Sequence, residues 1–241
     1  GERDDIDIGD DALGYARRLA EDAARAVRAA EIGTRIRAGD GRLPGIRAKL
    51  YPYQVDGVAF LAGRGRALLA DEMGLGKTVQ AVAACTLLRR LHGIRRVLVV
   101  SPASLKTEWE EQIAKFSDLP ALIIQGTRAQ RLRQYEESAF FYLANYEQIR
   151  PDAKDINQTL APDVIILDEA QRIKNWQTKT ATSVKRLQSA CAFVLTGAPA
   201  ENRIDEIYSI GQFLDPQLIG PLFRFNRDFY RKRSRSPMSM S

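Results

Sequence analysis

Short apolar runs alternate with helix-forming segments from residue 66 onward, and this alternation limits the folds open to the chain. The runs are RALLAD, VLVVS, ALII, FFYLA, DVIILDE and AFVLTG. Between them lie KTVQAVAACTLLRRLHG, SLKTEWEEQIAKF, TRAQRLRQYEE and QTKTATSVKRLQ. Near-continuous apolar strands that alternate with helices are typical of parallel sheets covered by helices on both faces. We therefore predict an α/β fold with three layers and a mostly parallel central sheet.

The first apolar run leads into the stretch ADEMGLGKTVQA, which is similar to a phosphate-binding loop. The strict pattern, G-x-x-x-x-G-K-[ST], has glycine where this chain has Asp71. Gly74 and Gly76 permit backbone angles that other residues disfavour, and their N–H groups can surround a phosphate beside the start of a helix. Lys77 would reach the terminal phosphates, and Thr78 would offer its hydroxyl to magnesium. Because strand, loop and helix come in the required order, we predict a nucleotide site here.

A second motif, DVIILDEAQ, is an apolar run that ends in two carboxylates, Asp168 and Glu169. Ligands of a parallel α/β sheet bind at the carboxyl ends of its strands, and both acids lie at such an end. Asp168 follows the loop lysine by about ninety residues, which suits an acid that holds magnesium, mostly through water. Glu169 would polarise an attacking water as the general base. Together, the loop and the acids predict a phosphate-loop NTPase.

Charge and composition narrow the classes of partner and site. The net charge is +6 and the isoelectric point is about 9.4, a balance that fits a polyanion partner. No run of about 18 apolar residues occurs, so we expect no membrane span, and the acidic start GERDDIDIGDD does not resemble a signal peptide. His92 and two distant cysteines lack the spacing of a zinc site. We expect Cys85 and Cys191 to be buried thiols in a reducing compartment.

The segment before the strands is predicted to be helical over residues 10–33. Leu13, Leu19 and Val27 fall near helical spacing, and arginines occupy the other face. We interpret that face as solvated; contact with nucleic acid is the alternative. The stretch RAGDGRLPGIRAK has the composition of a linker, and the tail RKRSRSPMSMS that of a disordered segment. We therefore expect a helical extension with its linker at 1–45, an α/β lobe at 46–230 and a basic tail at 231–241.

Motifs on either side of the loop make the prediction more specific. They are LYPYQVDGV, SPASLKTEW, LANYEQI, DEAQRIKN and LTGAPAENR. With the loop, they closely resemble the first RecA-like lobe of the SWI/SNF-type ATPases, helicase-like motors of superfamily two that translocate on double-stranded DNA. The resemblance covers roughly residues 46–230. The family loop reads DEMGLGKT, so Asp71 belongs to the pattern. The resemblance implies a RecA-like fold, ATP and Mg²⁺ as cofactors, and double-stranded DNA as a partner.

The resemblance also implies roles for individual residues. Gln54 is similar to a glutamine that reads the adenine edge, a task suited to an amide with a donor and an acceptor. The implied phosphate loop comprises Asp71, Glu72, Met73, Gly74, Leu75, Gly76, Lys77 and Thr78. The implied catalytic set is Lys77, Asp168, Glu169 and Gln171, with Ala170 inside the acidic box. Two segments implied to face DNA contribute Ser101, Pro102, Leu105 and Trp109, and Asn145, Tyr146 and Glu147. The motif implied to couple hydrolysis to lobe movement comprises Thr196, Gly197, Pro199, Glu201, Asn202 and Arg203.

Three positions depart from the family pattern. Gln171 stands where many members have histidine, and since glutamine can also hydrogen-bond, we expect function to persist. Ala198 replaces a threonine, and Ala200 replaces a larger apolar residue. Loss of the hydroxyl at Ala198 would weaken the coupling between the ATP and DNA sites, although we favour a tolerated variant.

Motors of this family hold ATP between two RecA-like lobes, and the second lobe supplies arginine fingers worth about 10³–10⁵ in rate. Only a short tail follows FLDPQLIGPLFRFNRDFY. We therefore expect a fragment that binds nucleotide, hydrolyses it poorly alone and needs the second lobe as a partner. A DNA-bound protein is a further implied partner. The expected location is the cytoplasm and nucleoid of a bacterium or the nucleus of a eukaryote.

Two alternatives stay open. A lobe of an RNA or single-strand helicase would share the loop and the acids, although DEMGLGKT, NYEQ and RIKN fit the SWI/SNF pattern better. A one-lobe module that binds ATP without hydrolysing it would also share them. Hydrolysis separates that module from a motor, because the module would stay inactive with DNA and a second lobe supplied.

Overall fold

Six parallel strands form the central sheet of this lobe. The computed structural model describes residues 10–70, 74–170, 178–197 and 204–215. The strands follow the predicted apolar runs: β1 Arg66–Ala70, β2 Val97–Ser101, β3 Ala121–Ile123, β4 Phe141–Asn145, β5 Val164–Asp168 and β6 Cys191–Thr196. Their order across the sheet is β1-β6-β5-β2-β4-β3, and every neighbouring pair is parallel. The predicted α/β class with a parallel sheet is confirmed.

Eight α-helices accompany the sheet within the described residues. They are α1 Asp10–Ala38, α2 Pro52–Arg64, α3 Lys77–His92, α4 Lys106–Phe116, α5 Arg128–Gln134, α6 Tyr146–Asp155, α7 Lys179–Lys185 and α8 Ile204–Leu214. Of these, α1 packs on α2. A 3-10 turn over Ala103–Leu105 precedes α4, and a π-helical turn over Ile156–Leu160 follows α6. The segment that forms α6 was not predicted as a helix, since Pro151 and several polar residues hide its periodicity.

Side chains that alternate along the strands divide the core between the two faces. In β2, Val97 and Val99 pack into one cluster with α1 to α4, while Leu98 and Val100 pack into another with α5 to α8. All five residues of β2 are buried, as are all five of β5. A strand buried on both faces must be apolar along its whole length, which is why these runs were visible in the sequence.

The first helix packs differently from the prediction. It continues to Ala38, five residues beyond the predicted end, and the residues assigned to its apolar face, such as Leu19 and Val27, are more than half exposed. The contact with α2 lies further along, where a Cβ on Gly63 would come within 2.6 Å of the Ala29 backbone. Small residues at this crossing bring the two helices close together, and only the second half of α1 joins the core through Ile36.

The predicted linker is a packed turn rather than an open connection. Leu43 and Leu50 are 3% and 2% exposed and belong to the core. Lys49 donates hydrogen bonds of 2.7 Å to both carboxylate oxygens of Asp40, and Arg42 pairs with Lys49 in an isolated bridge. The glycine and arginine content suggested a linker, but two spaced leucines are enough to anchor the segment to the lobe.

The two cysteines are free, and only one of them is fully buried. Cys85 lies inside α3 with no exposed surface, as predicted, whereas Cys191 at the start of β6 is partly exposed. Burial raises the pKa of both thiols, so neither has the low pKa of a reactive thiolate.

Parallel pairing brings the marked residues to one edge of the sheet. Register pairs join Ala70 to Thr196, Asp168 to Leu195, and Ser101 to Asn145. The carboxyl ends of β1, β6, β5, β2 and β4 therefore lie side by side. Within the residues that the structure describes, no helix is both long and apolar enough to cross a membrane.

Candidate active site

The phosphate loop leaves β1 and enters α3 through two glycines with left-handed backbone angles. Gly74 has φ of 87° and Gly76 has φ of 72°, a region that disfavours residues with a Cβ. A Cβ on Gly74 would meet no atom of the described residues within 4 Å, so the described part of the loop is open on that side. A Cβ on Gly76 would lie 2.7 Å from Gln54 Nε2. Since α3 begins directly at Lys77, its first N–H groups point into this loop.

Two glutamines donate hydrogen bonds to the loop backbone at Leu75. Gln54 Nε2 and Gln80 Nε2 both donate long hydrogen bonds, of 3.4 Å and 3.3 Å, to the carbonyl oxygen of Leu75. Gln54 Oε1 also accepts from the backbone N–H of Tyr51 at 3.0 Å. The predicted adenine contact of Gln54 stays a prediction: an amide has two N–H donors and two lone pairs, and these two bonds use one of each.

Gln80 is a residue that we did not predict. It is fully buried, and Gly57 on α2 makes room for it, because a Cβ at Gly57 would lie 1.7 Å from Gln80 Oε1. The signal was present in the sequence. A lone amide in the apolar stretch TVQAVAAC faces the core, and a buried amide requires hydrogen-bond partners.

Asp168 is at the centre of the described part of the edge. Its carboxylate accepts a hydrogen bond of 2.8 Å from Trp109 Nε1 at Oδ2 and one of 2.9 Å from the Glu169 N–H at Oδ1. Its backbone carbonyl accepts a third, of 2.7 Å, from the hydroxyl of Tyr146. Each carboxylate oxygen keeps a lone pair beyond these bonds, so the orientation of the acid is fixed while it can still accept from a ligand.

The environment of Asp168 opposes its ionisation. Burial raises the pKa of this carboxyl above its usual value, and the negative charge of Glu169 adds to the effect. The hydrogen bond from Trp109, the N–H of Glu169 and the positive charge of Lys77 act in the other direction and lower the pKa. The influence of Lys77 shows that the loop lysine and the β5 acid share one electrostatic environment.

Glu169 adopts a backbone conformation that is uncommon for a glutamate. Its φ is 51°, in the left-handed region, which costs a residue with a side chain of the order of 1 kcal/mol. Strain of this kind persists where the surrounding structure enforces it, and it is frequent at functional sites. Here it marks the residue that directly follows β5.

The residues predicted to face DNA are mostly buried. Ser101, Trp109 and Tyr146 are at most 2% exposed, and Pro102 is also buried, so these side chains do not form the surface. Trp109 and Tyr146 contact Asp168 instead. The exposed residues of the first segment are Ala103, Ser104, Thr107 and Glu108.

Asn145 and Leu105 also have local surroundings that differ from a DNA contact. Asn145 Oδ1 accepts from the N–H of Gln148 at 3.0 Å and caps α6, and Leu105 packs partly against the core. Of the side chains predicted to face DNA, only that of Glu147 is exposed. The two segments therefore lie on the predicted edge, but most of their named side chains support it from within.

The remaining predicted residues divide into two groups. Thr196 ends β6 beside β1 and is buried, and Gly197 follows it directly. Other predicted positions lie outside the described residues: Asp71, Glu72, Met73, Gln171, Ala198, Pro199, Ala200, Glu201, Asn202 and Arg203.

The chemistry of this edge fits a nucleotide with a divalent cation. The open loop presents backbone N–H groups at the start of a 16-residue helix, which favours anionic phosphates. Lys77 adds a positive charge, and Thr78 and Asp168 are oxygen ligands of the kind that Mg²⁺ prefers. The chemical types of these groups and their positions at one edge of the sheet are mutually consistent.

Comparison with known proteins supports the same interpretation. A model of the SNF2-related domain matches residues 53–238. The chain is 29% identical over 201 residues to chromodomain-helicase-DNA-binding protein 8 of Danio rerio, covering 75% of this chain and 8% of that protein. It is 30% identical over 214 residues to DNA repair and recombination protein RAD54B of Gallus gallus, covering 80% and 23%.

A solved structure matches most of the fold. The SWI2/SNF2 ATPase core of Sulfolobus solfataricus in complex with dsDNA superimposes with a TM-score of 0.71 and 31% identity, over 83% of this chain and 43% of that chain. The chain thus spans less than half of that ATPase core and less than a quarter of either relative. Since the domain model covers most of its length, the chain belongs to the SNF2-related family of helicase-like ATPases.

Proposed function

We propose that this chain is the first RecA-like lobe of a DNA-dependent ATPase that translocates on double-stranded DNA. One observation carries the proposal. The carboxylate predicted to serve the nucleotide, Asp168, is hydrogen-bonded to Trp109 and Tyr146, which belong to the two segments predicted to face DNA. Nucleotide chemistry and DNA contact would therefore meet at one residue.

The loop would bind the phosphates of ATP through its backbone. The N–H groups that follow Gly74 and Gly76 suit the phosphate oxygens, and Lys77 would neutralise charge on the terminal phosphates. Gln54 would read the adenine edge while its existing bond to Leu75 keeps the loop in place. Binding would thus rest on a loop whose shape is set before the nucleotide arrives.

The acids would serve the bond-breaking step. Mg²⁺ bound here would neutralise charge on the phosphates, and Asp168 and Thr78 are the residues that would hold it. Glu169 would orient and deprotonate the attacking water, and its left-handed backbone conformation marks it as an unusual position at the end of β5. Gln171 would support this step through hydrogen bonding.

Trp109 and Tyr146 would transmit the presence of DNA to the acids. Both are buried, so DNA would act on their segments through exposed neighbours such as Ala103, Ser104 and Glu147. A small movement of either segment would change the orientation of Asp168 through a direct hydrogen bond. Coupling of this kind requires a chain of packed contacts that both sites influence. Here the hydrogen bonds from Trp109 and Tyr146 to Asp168 would provide it.

A second RecA-like lobe would complete the motor. One analogue is the Sulfolobus ATPase core, of which this chain covers 43%. In a two-lobe motor, arginines of the second lobe neutralise the transition state, which raises the rate by about 10³–10⁵. The lone lobe would bind ATP but turn it over slowly. Such a motor would act where chromosomal DNA is, in a nucleoid or a nucleus, and on proteins bound to that DNA.

Phosphate release with ATP and Mg²⁺ tests the proposal. The assay compares this chain alone with the same chain joined to a second lobe, each with duplex DNA, single-stranded DNA, RNA or no nucleic acid. We expect turnover only in the two-lobe protein, with the largest stimulation by duplex. Greater stimulation by RNA or single strands would favour a helicase lobe instead. Absence of hydrolysis in both proteins, with ATP still bound, would favour a non-hydrolysing module.

A further inference from the structure

A groove between α6 and α7 is lined by positive charge. Two adjoining cavities of about 280 and 310 Å³ share Arg150 and Arg186, and they include Lys154 from α6 and Lys179 from α7. All four side chains are exposed, and none of the described residues that line the cavities is acidic. We define these four residues as the flank groove. None of them belongs to the motifs that predicted the nucleotide or the DNA edge.

The cations of the flank groove are not used for ion pairs. On the neighbouring helix α5, Arg131 donates to the buried Asp152 at 2.6 Å, and Arg128 pairs with Asp155. In the part of the chain that the structure describes, no such partner pairs with any cation of the groove. Four uncompensated cations in one concave surface repel one another, which favours binding of a polyanion.

The groove is continuous with the edge where DNA is proposed to bind. Arg150 lies one helical turn after Tyr146, and the groove then follows α6 away from that edge. The two segments predicted to face DNA supply few exposed cations among the described residues. Lys106 is partly buried, donates to the Ile124 carbonyl at 2.7 Å, and has a pKa that burial lowers. The first exposed cation after β4 is Arg150.

The dimensions suit a phosphodiester backbone. Lys179 and Arg186 are seven residues apart, which corresponds to about 10 Å along a helix. Along the helix axis, one strand of B-form DNA carries a phosphate about every 3.4 Å. A groove that lies parallel to this axis therefore spans roughly three phosphate steps. Thr182 and Asn157 add neutral hydrogen-bonding groups to the lining. Neutral and cationic donors together are typical of contacts to phosphates that carry no sequence information.

We propose that the flank groove is a second contact for the backbone of double-stranded DNA, beyond the motif edge. The inference rests on the proposed function, because it takes duplex DNA as the partner at the edge. It adds a site that increases affinity and residence on DNA without reading sequence. An acidic protein segment is the competing occupant, and the test below separates the two.

Duplex affinity as a function of salt tests the groove. The groove variant carries Arg150→Gln, Lys154→Gln, Lys179→Gln and Arg186→Gln, and its binding to a labelled 30-bp duplex is measured by anisotropy at several NaCl concentrations. If all four cations contact phosphates, the slope of log K against log salt should become less steep by about 3 to 4. Affinity near 0.1 M salt should fall at least about tenfold.

A matched control removes the same charge elsewhere. It carries Arg17→Gln, Arg28→Gln, Arg35→Gln and Arg90→Gln, which are exposed positions on α1 and α3, and we expect it to keep the slope and most of the affinity. Both variants should retain their circular dichroism and the binding of an ATP analogue, since none of the eight positions lies at the nucleotide site.

Three other outcomes would overturn the proposal that the flank groove contacts duplex DNA. Equal slopes for the groove variant and the control would overturn the groove while leaving DNA binding at the edge intact. Loss of polyglutamate binding with unchanged duplex binding would assign the groove to an acidic protein partner and overturn the proposal. If the unaltered chain bound no duplex at low salt, the DNA part of the proposed function would fail together with the groove.

Discussion

The phosphate loop and the acidic end of β5 lie on the same edge of the sheet, but the loop is formed mainly by backbone groups and the acidic end by side chains. In the loop, backbone N–H groups are the proposed phosphate donors, and Gly74 and Gly76 adopt positive φ. At β5, a buried carboxylate is held by two aromatic side chains from other segments. The loop depends on local conformation, whereas the acid depends on contacts between residues far apart in sequence.

This difference has consequences for function. If the loop binds phosphates, its shape depends on its glycines and on the bonds from Gln54 and Gln80 to Leu75, and not on the DNA-side segments. Nucleotide binding should therefore be robust to movement of those segments. The orientation of Asp168 depends on the segments after β2 and β4, so whatever moves those segments should affect the acid. We infer that binding is set locally and that hydrolysis is set by the contacts of Asp168.

The largest expected effect separates turnover from binding at the acidic end. Glu169→Gln removes the general base but keeps the shape and the hydrogen-bonding capacity of the side chain. Phosphate release by the two-lobe protein should fall by about 10²–10⁴, while the affinity for an ATP analogue stays within about twofold. Glu136→Gln, an exposed position after α5, is the control. Near-normal turnover in Glu169→Gln would contradict the general-base role.

The second expected effect is a loss of nucleotide binding, caused by a change in the loop rather than at the acidic end. Lys77→Ala removes the loop cation, and binding of a fluorescent ATP analogue should weaken by at least about a hundredfold, because a charge-assisted phosphate contact is lost. The lobe should stay folded, as judged by its melting temperature, since Lys77 is at the first position of α3. Lys115→Ala on α4 serves as control. Unchanged analogue binding would show that the loop is not the phosphate site.

A third variant tests the hydrogen bond between Trp109 and Asp168. Trp109→Phe keeps an aromatic ring but deletes the N–H that donates to Asp168 Oδ2. Residues that orient a metal ligand contribute about 10–100-fold to metal affinity. We therefore expect the Mg²⁺ concentration needed for analogue binding to rise about tenfold, with little change in binding without Mg²⁺. An unchanged Mg²⁺ requirement would show that Trp109 only fills space.

The smallest effect comes from a single hydroxyl. Tyr146→Phe removes the donor to the backbone carbonyl of Asp168, a neutral bond worth about 0.5–1.5 kcal/mol. Stimulation of phosphate release by duplex should fall several-fold. Tyr142→Phe is a close control, because its hydroxyl donates to the Glu137 carbonyl at 2.6 Å in the same core cluster, away from Asp168. Equal losses in both variants would indicate general destabilisation rather than coupling.

Sequence reasoning succeeded where the physical signal is local. The six strands were predicted correctly from their apolar runs, and inner strands such as β2 and β5 are buried along their whole length. The phosphate loop, inferred from adjacent glycine, lysine and threonine, stays a prediction. The roles of Asp168 and Glu169 also stay predictions, although Asp168 does end a buried strand as expected.

Sequence reasoning failed where the signal depends on contacts between distant segments. Nothing in SPASLKTEW indicates that Trp109 donates to a carboxylate fifty-nine positions away. The packing of α1 was also missed, because small residues at its crossing with α2, and not its leucines, make the contact. Gln80 lies between these cases, since a lone amide in an apolar helix was a usable signal.

The most direct test of the central claim is the linkage between duplex DNA and the Mg²⁺-bound ATP analogue at Asp168. The dissociation constant of the analogue is measured with and without saturating duplex, for the unaltered two-lobe protein and for a Trp109→Phe, Tyr146→Phe double variant. Linkage is reciprocal, so the same factor must appear in the DNA affinity. We predict a factor of at least about five in the unaltered protein and a factor near one in the double variant. An equal factor in both proteins would contradict the claim that these two side chains connect the DNA-side segments to Asp168.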